Sequence, residues 1–302
     1  MAIINNANSG SQINLICLII STVHTKKQKM TKEELFELCR PNNLLWTNES
    51  EKRFRNEFNF WKDNEVTLWK ENEDGKVILT GNLCASDGAK AISKYVHDRL
   101  FEAIDEEFLS PDNKVYAGLF RVLSFVNLID KFHPLSEQHL TKSSLDDALS
   151  LYFSDFLLND SEKSTFIEWG HFLGYFQLVE TNGSSRSYIA DPTKAISEQL
   201  KAIINKKTEF HIKEFLVALG ERLPVLGLGQ YSLKTKEFLS GAIEPDLFTR
   251  KISKSLSIAM QRLAYSGKLS FSQDSDDKDV MALQLSNSEE LISKVKINIG
   301  GL

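Results

Sequence analysis

Cysteine is scarce in this chain: three in 302 residues, Cys17, Cys39 and Cys84, far apart and without a CxxC pair. That spacing excludes a disulfide framework and the paired thiolates of a structural zinc site, and it fits a reducing, cytoplasmic compartment. Cys17 lies in an apolar stretch and Cys39 near a helix end, where both read as small buried hydrophobes rather than nucleophiles. Long apolar runs are also lacking. The run Ile13–Val23 spans about half of the ~20 residues that a bilayer helix needs. No positive cluster precedes it and no Ala-x-Ala follows, so it reads as a buried helix rather than a signal peptide. A surplus of positive charge is missing too: 36 Lys and Arg against 41 Asp and Glu give a net charge of −5. A chain held on nucleic acid by bulk charge is usually basic. Any such contact here must come from a local patch or from a partner.

Catalytic motifs are missing in the same way. The six histidines, His24, His97, His133, His139, His171 and His211, are dispersed. His133 and His139 are six apart, which does not place them on one helical face. There is no HExxH and no GxSxG. The loop Gly227-Leu228-Gly229 lacks a third glycine and a following Lys-Ser or Lys-Thr, and it follows a helix; it reads as a turn rather than a phosphate loop. Asp274, Asp276, Asp277 and Asp279 lack EF-hand spacing and read as exposed acids. The expectation is a protein that is not an enzyme and that carries neither cofactor nor metal.

What is present is a pattern that occurs three times: an amphipathic helix, a turn, then a short hairpin. The copies are Phe54–Leu79, Phe166–Ile189 and Leu256–Leu283. In the first, Thr31 and Glu34 form a capping box for a helix Lys32–Leu38, which Pro41 ends. Thr47 or Asn48 caps Glu49–Lys62, where Phe54, Phe58 and Trp61 make an apolar face. Val66, Leu68 and Val77–Leu79 flank the hairpin signal Asp74-Gly75. Helices are expected at Ala89–Phe108, Lys114–Phe132 and Leu145–Leu158. The second copy has a helix Thr165–Phe176 and strands on either side of Asn182-Gly183. The third has helices Ile212–Arg222, Lys234–Ser240 and Leu247–Tyr265. Leu269 and Phe271 then form one strand and Val280–Leu285 the other, with an acidic tip at Asp274–Asp277 and a short helix after Ser288.

Helices closed by a two-stranded wing predict winged-helix modules, in a mainly α fold with small β-hairpin wings (α+β). The expected division is an N-terminal module at 1–85, a helical middle at 86–160, a second winged unit at 161–207 and a C-terminal module at 208–302. Such modules read nucleic acid or dock proteins. The strongest candidate contact is Leu247–Tyr265, which carries Arg250, Lys251, Lys254 and Arg262 and no acid. Ile252, Leu256, Ala259 and Leu263 form its expected buried side, so Arg250, Lys254 and Arg262 are expected to face outward together, as on a helix that enters a major groove. Lys268 and Lys236 extend the patch. A solvated helix face is the competing reading, and the acidic tip would repel phosphate. Lys52, Arg53, Arg55 and Lys62 on the first module form a secondary candidate for DNA or partner contact. They are interspersed with Glu49, Glu51 and Glu57 and lie beside the acidic tip Glu71-Asn72-Glu73-Asp74, which favours protein docking because phosphate contacts need cations.

Met1-Ala2-Ile3-Ile4-Asn5 leading into the apolar helix, Thr31–Pro41 followed by Glu49–Trp61, and the helix-then-wing Leu256–Leu269 together give a layout that resembles the DpdG-like proteins. These belong to bacterial gene clusters that insert 7-deazaguanine bases into DNA and restrict unmodified DNA. The resemblance implies a cytoplasmic accessory subunit of an anti-phage defence system that acts with ATPase, helicase or nuclease partners. It supplies no catalytic residues. A protein-only scaffold, like the winged-helix subunits that clamp SMC-type ATPases, and a transcription regulator are the alternatives. Three unlike modules in one chain suit a regulator poorly, because regulators usually pair two symmetric recognition helices.

Overall fold

The computed structural model describes residues 3–5, 9–40, 47–83, 89–102, 116–153, 158–182, 185–204, 207–239, 241, 243, 246–274, 277 and 279–301. Cys84, Pro41, Gly183 and the tip residues Ser275 and Asp276 lie outside the described residues. The chain is a mainly helical α+β protein with small antiparallel sheets. It divides into two compact units, Met1–Glu106 and Glu107–Leu302.

The first unit begins with α1 (Ile13–Thr25), whose Ile16, Ile19, Ile20 and Val23 are buried. Next comes α2 (Lys32–Cys39), opened by the capping box of Thr31 and Glu34. α3 (Asn48–Asp63) follows, with Thr47 accepting from the Ser50 N–H. β1 (Trp69–Glu71) and β2 (Val77–Leu79) then pair antiparallel across the Gly75 turn. The residue before α2 joins this ladder: Thr31 bridges Lys76, and the Val77 N–H donates to the Met30 carbonyl at 2.9 Å. The core is aromatic. Phe36 meets Phe54 and Phe58 edge-on at 4.9 and 5.5 Å, and Phe58 stacks on Trp69 at 5.6 Å. Such pairs add specificity to apolar burial. α4 (Ala89–Glu102) closes the unit, and its Arg99 Nε donates to the Thr67 carbonyl at 3.2 Å.

The second unit holds two further helix-then-strand stretches. α5 (Ala117–Leu128) is followed by a 3-10 turn, Asp130–Phe132. The predicted continuous helix Lys114–Phe132 breaks because Ile129 leaves helical geometry, with ψ 150°. α6 (Lys142–Tyr152) and α7 (Asp160–Phe172) precede β3 (Phe176–Asn182) and β4 (Ser185–Ala190). α7 starts five residues before the predicted Thr165, because Asn159 and Glu162 make a capping box. It stops at Phe172, ahead of Gly174 at φ +86°. Leu140, just before α6, pairs with Tyr188 of β4.

α8 (Thr193–Ile203), which the sequence reading did not single out, leads to β5 (Glu209–His211), α9 (Ile212–Arg222), α10 (Gln230–Phe238) and α11 (Lys254–Tyr265). Four strands follow: β6 (Leu269–Ser272), β7 (Met281–Gln284), β8 (Glu289–Ile292) and β9 (Lys294–Ile297). The strand pairing departs from the expectation in two ways. β6 does not pair with the Val280–Leu285 segment; it pairs with β9 in a sheet ordered β5-β9-β6, while β7 pairs with β8. The tail after Ser288 is therefore strand rather than helix. Val295 and Ile297 alternate inward with Lys294 and Lys296, the period of a half-buried strand.

The predicted helix Leu247–Tyr265 is also shorter than expected. Phe248 takes φ +64°, and the Asp246 carbonyl accepts from the N–H groups of Thr249, Arg250 and Lys251 in a tight turn. Arg250 to Ile252 then run extended beside β7: the Ala282 N–H donates to the Arg250 carbonyl at 2.7 Å, and the Ile252 N–H donates to the Ala282 carbonyl at 2.9 Å. The helix begins only at Lys254. Arg250 and Lys251 thus precede it and do not lie on its face.

Candidate functional site

α11 carries most of the predicted basic patch. It buries Ser255, Leu256, Ser257, Ala259, Met260 and Leu263, and it packs against α5, α8, β6 and β7. A helix held on so many sides has a narrow outer face, where Arg262 and Tyr265 are exposed. Polar contacts fix it further. Ser255 Oγ donates to the Asn127 carbonyl at 2.7 Å, and Ser257 Oγ accepts from the Gln284 N–H at 3.0 Å.

The cations on and around α11 are largely engaged. Lys254 Nζ donates to the Asp130 carboxylate, which follows α5. Arg262 donates to Asp191, a fully buried carboxylate just before α8. Asp191 also accepts from the Thr193 N–H at 3.0 Å and from the Thr193 hydroxyl. Lys268 Nζ reaches Ser197 Oγ of α8 at 2.5 Å, and Lys251 Nζ lies 3.3 Å from Glu289. Lys236 donates to the Leu247 carbonyl, and burial pushes its ammonium down from the ordinary lysine range. Arg250 is exposed and has no ion pair among the described residues. The candidates therefore do not converge on one outward face.

In the first unit the cations of α3 divide differently. Lys52 and Arg53 are exposed and without an ion pair among the described residues. Arg55 pairs with Glu51 at 2.8 Å and lies over the Phe36 ring, 4.4 Å from its centroid. Lys62 lies 3.6 Å from Asp63 and 3.9 Å from Glu71.

Glu57, counted with Glu49 and Glu51 among the acids interspersed with these cations, is buried. It accepts from the Gly10 N–H at 2.8 Å, the Gln12 N–H at 3.3 Å and Trp61 Nε1 at 3.1 Å. Burial pushes its carboxyl up from the usual carboxylate range, against the pull of these hydrogen bonds. It ties the segment before α1 to α3. Gly10 sits at φ +93°, and a Cβ there would lie 2.3 Å from the Phe60 ring.

Asp191 and Glu57 are the structurally decisive carboxylates that pattern reading missed. Asp191-Pro192 before a helical stretch is a helix-start signal and would have located α8. Glu57 carries little local signal: only Trp61 lies near it in sequence, while its two backbone donors lie 45 and 47 residues away.

These features define an α+β protein of repeated helix-and-ladder units whose basic side chains mostly brace one unit element against another. Among the described residues no group of His, Cys, Asp and Glu is arranged to hold a metal ion, and no helix is long and apolar enough to cross a membrane. Over residues 1–277 the chain matches the family model described as DpdG-like, and it belongs to that family. Neither the curated proteins nor the solved structures gave a match.

Proposed function

We propose that the chain is a non-catalytic subunit, built from three winged-helix modules, of the machinery that places 7-deazaguanine in DNA and restricts unmodified DNA. Membership of the DpdG-like family supports the setting. One structural observation carries the modular reading. Three times a helix, a short edge segment, two helices (three in the last copy, α9, α10 and α11) and an antiparallel ladder follow in order, and each time the edge segment joins the last strand or the residue just before it. That strand arrangement is what a winged-helix core needs to sew its wing to its helices. The modules are then α1 to β2, α5 to β4 and α8 to β9, with β7 and β8 as an excursion within the last wing.

The work of these modules is docking partner proteins, such as ATPase, helicase or nuclease subunits. The placement of the cations favours this over groove reading by α11: Lys254, Arg262 and Lys268 are spent on contacts with neighbouring elements, and β7 covers one flank of the helix. Direct DNA contact is a second reading, and the exposure of Lys52, Arg53 and Arg250 supports it. Phosphate contacts would dominate, so its affinity would fall steeply with salt. Co-expression with the proteins of the same gene cluster, followed by size-exclusion chromatography, tests the docking reading. A stable complex in high salt is expected; elution of the chain alone would overturn it.

A further inference from the structure

The N-terminal end of α11 faces a cavity of about 180 Å³. Its walls are Leu128, Ile129, Tyr152, Ile243 and Leu247 on the apolar side and Asp130, Lys131, Ser253, Lys254 and Gln284 on the polar side. The cavity holds about six waters at about 30 Å³ each. It falls below the roughly 300–1,000 Å³ that enclose a drug-sized molecule. A tetrahedral anion or a small ester of one matches that size.

The polar groups are arranged as for an anion. The first N–H groups of a helix have no intrahelical partner and carry partial positive charge, and helix N-termini recurrently bind phosphate. Ser253 occupies the N-cap position, where a serine hydroxyl ordinarily turns back onto the helix, yet its side chain makes no capping hydrogen bond. Ser253 is 4% exposed and Gln284 is 9% exposed. Both line the cavity, and neither side chain has a hydrogen-bond partner among the described residues. The Ser253 hydroxyl and the Gln284 amide are thus free to bond a group that enters the cavity. Lys131 is half-buried on the same wall and forms no ion pair among the described residues. Lys254 is shared with Asp130, so two cations stand against one carboxylate.

We propose that this cavity binds a phosphate group, free or as a small monoester, held by the first N–H groups of α11, Ser253 Oγ, the Gln284 amide, and Lys131. The inference is independent of the winged-helix reading, because it uses only the local geometry around the N-terminal end of α11.

Isothermal titration of the full chain with inorganic phosphate, at constant ionic strength set with chloride, tests it. Nucleoside 5′-monophosphate and a DNA duplex at equal phosphate form parallel arms that separate a small ligand from a nucleic-acid backbone. Saturable binding of phosphate or the monoester is expected. Ser253→Ala and Lys131→Ala are each expected to weaken it about tenfold, the loss of one donor to a charged group. Gln284→Met keeps the length of the side chain and is expected to weaken it as well. Should that variant fail to fold, Ser253→Ala decides, since its lost hydroxyl has no hydrogen-bond partner among the described residues. Absence of saturable binding, or wild-type affinity in both Ser253→Ala and Lys131→Ala, would overturn the site. Binding of duplex alone would overturn the small-ligand assignment.

Discussion

Arg262 offers the sharpest contrast between a bracing cation and a nucleic-acid contact. Its guanidinium is 43% exposed, while the Asp191 carboxylate that it meets is 0% exposed. Replacing Arg262 with alanine leaves that carboxylate buried, with Thr193 alone among the described residues to satisfy it. Removing one partner of a fully buried pair costs about 3–5 kcal/mol. The exposed half of this pair is screened by solvent, and Thr193 retains two hydrogen bonds, so the cost falls to about 2 kcal/mol, near that of one charged hydrogen bond. For a unit of this size such a loss lowers the melting temperature by roughly 4–8 °C. Urea denaturation of the wild type, Arg262→Ala, Asp191→Ala and the double variant measures the coupling directly. A coupling above about 1 kcal/mol is expected for residues in contact. A stability change within about 0.5 kcal/mol, the scale of an ordinary surface substitution, would refute the bracing role.

Four further outcomes follow from the same geometry. Glu57 has a raised folded-state pKa, so its stabilising contribution is full below the ordinary 4.5 and is lost as pH rises through the folded value. The urea midpoint of the wild type relative to Glu57→Gln should therefore rise as the solution is acidified toward pH 4.5; an advantage that grows with rising pH would contradict the assignment. Gly10→Ala forces a side chain onto the Phe60 ring at a left-handed position, and thermal unfolding should register a loss of about 2–4 kcal/mol, combining backbone strain and overpacking. If the assembled complex contacts DNA through this chain, Lys52→Glu with Arg53→Glu, or Arg250→Glu, should weaken filter binding and flatten its salt dependence. Lys254→Glu should instead lower stability, because it sets a carboxylate against Asp130.

The legible parts of the sequence were those with a local physical signature. The Thr31/Glu34 box, the Phe54, Phe58 and Trp61 face, and the Asp74-Gly75 turn all fall where the periodicity and turn chemistry put them. The buried side of α11 was also readable: Leu256, Ala259 and Leu263 are all interior, as is Ile252 in the extended segment before the helix. The other sides of that helix were not readable. Hydrophobic spacing shows which face is apolar, but not that Ser255 and Ser257 are also buried by distant elements. The pairing of β6 with β9 was hidden because β7 and β8 intervene and β7 is itself apolar, so the nearer strand looked like the partner. Lys254 and Arg262 share the sequence signature of a free basic face with cations that meet acids 124 and 71 residues away. Nothing in the local chain distinguishes the two cases.

The central claim is that this chain works by docking proteins. Purification of the tagged protein from cells that carry the intact gene cluster, with nuclease treatment of half the sample, tests it most directly. Partners encoded in the same cluster should remain bound in both halves. Loss of every partner on nuclease treatment, with DNA as the only common component, would contradict the claim and make the chain a nucleic-acid binder in its own right.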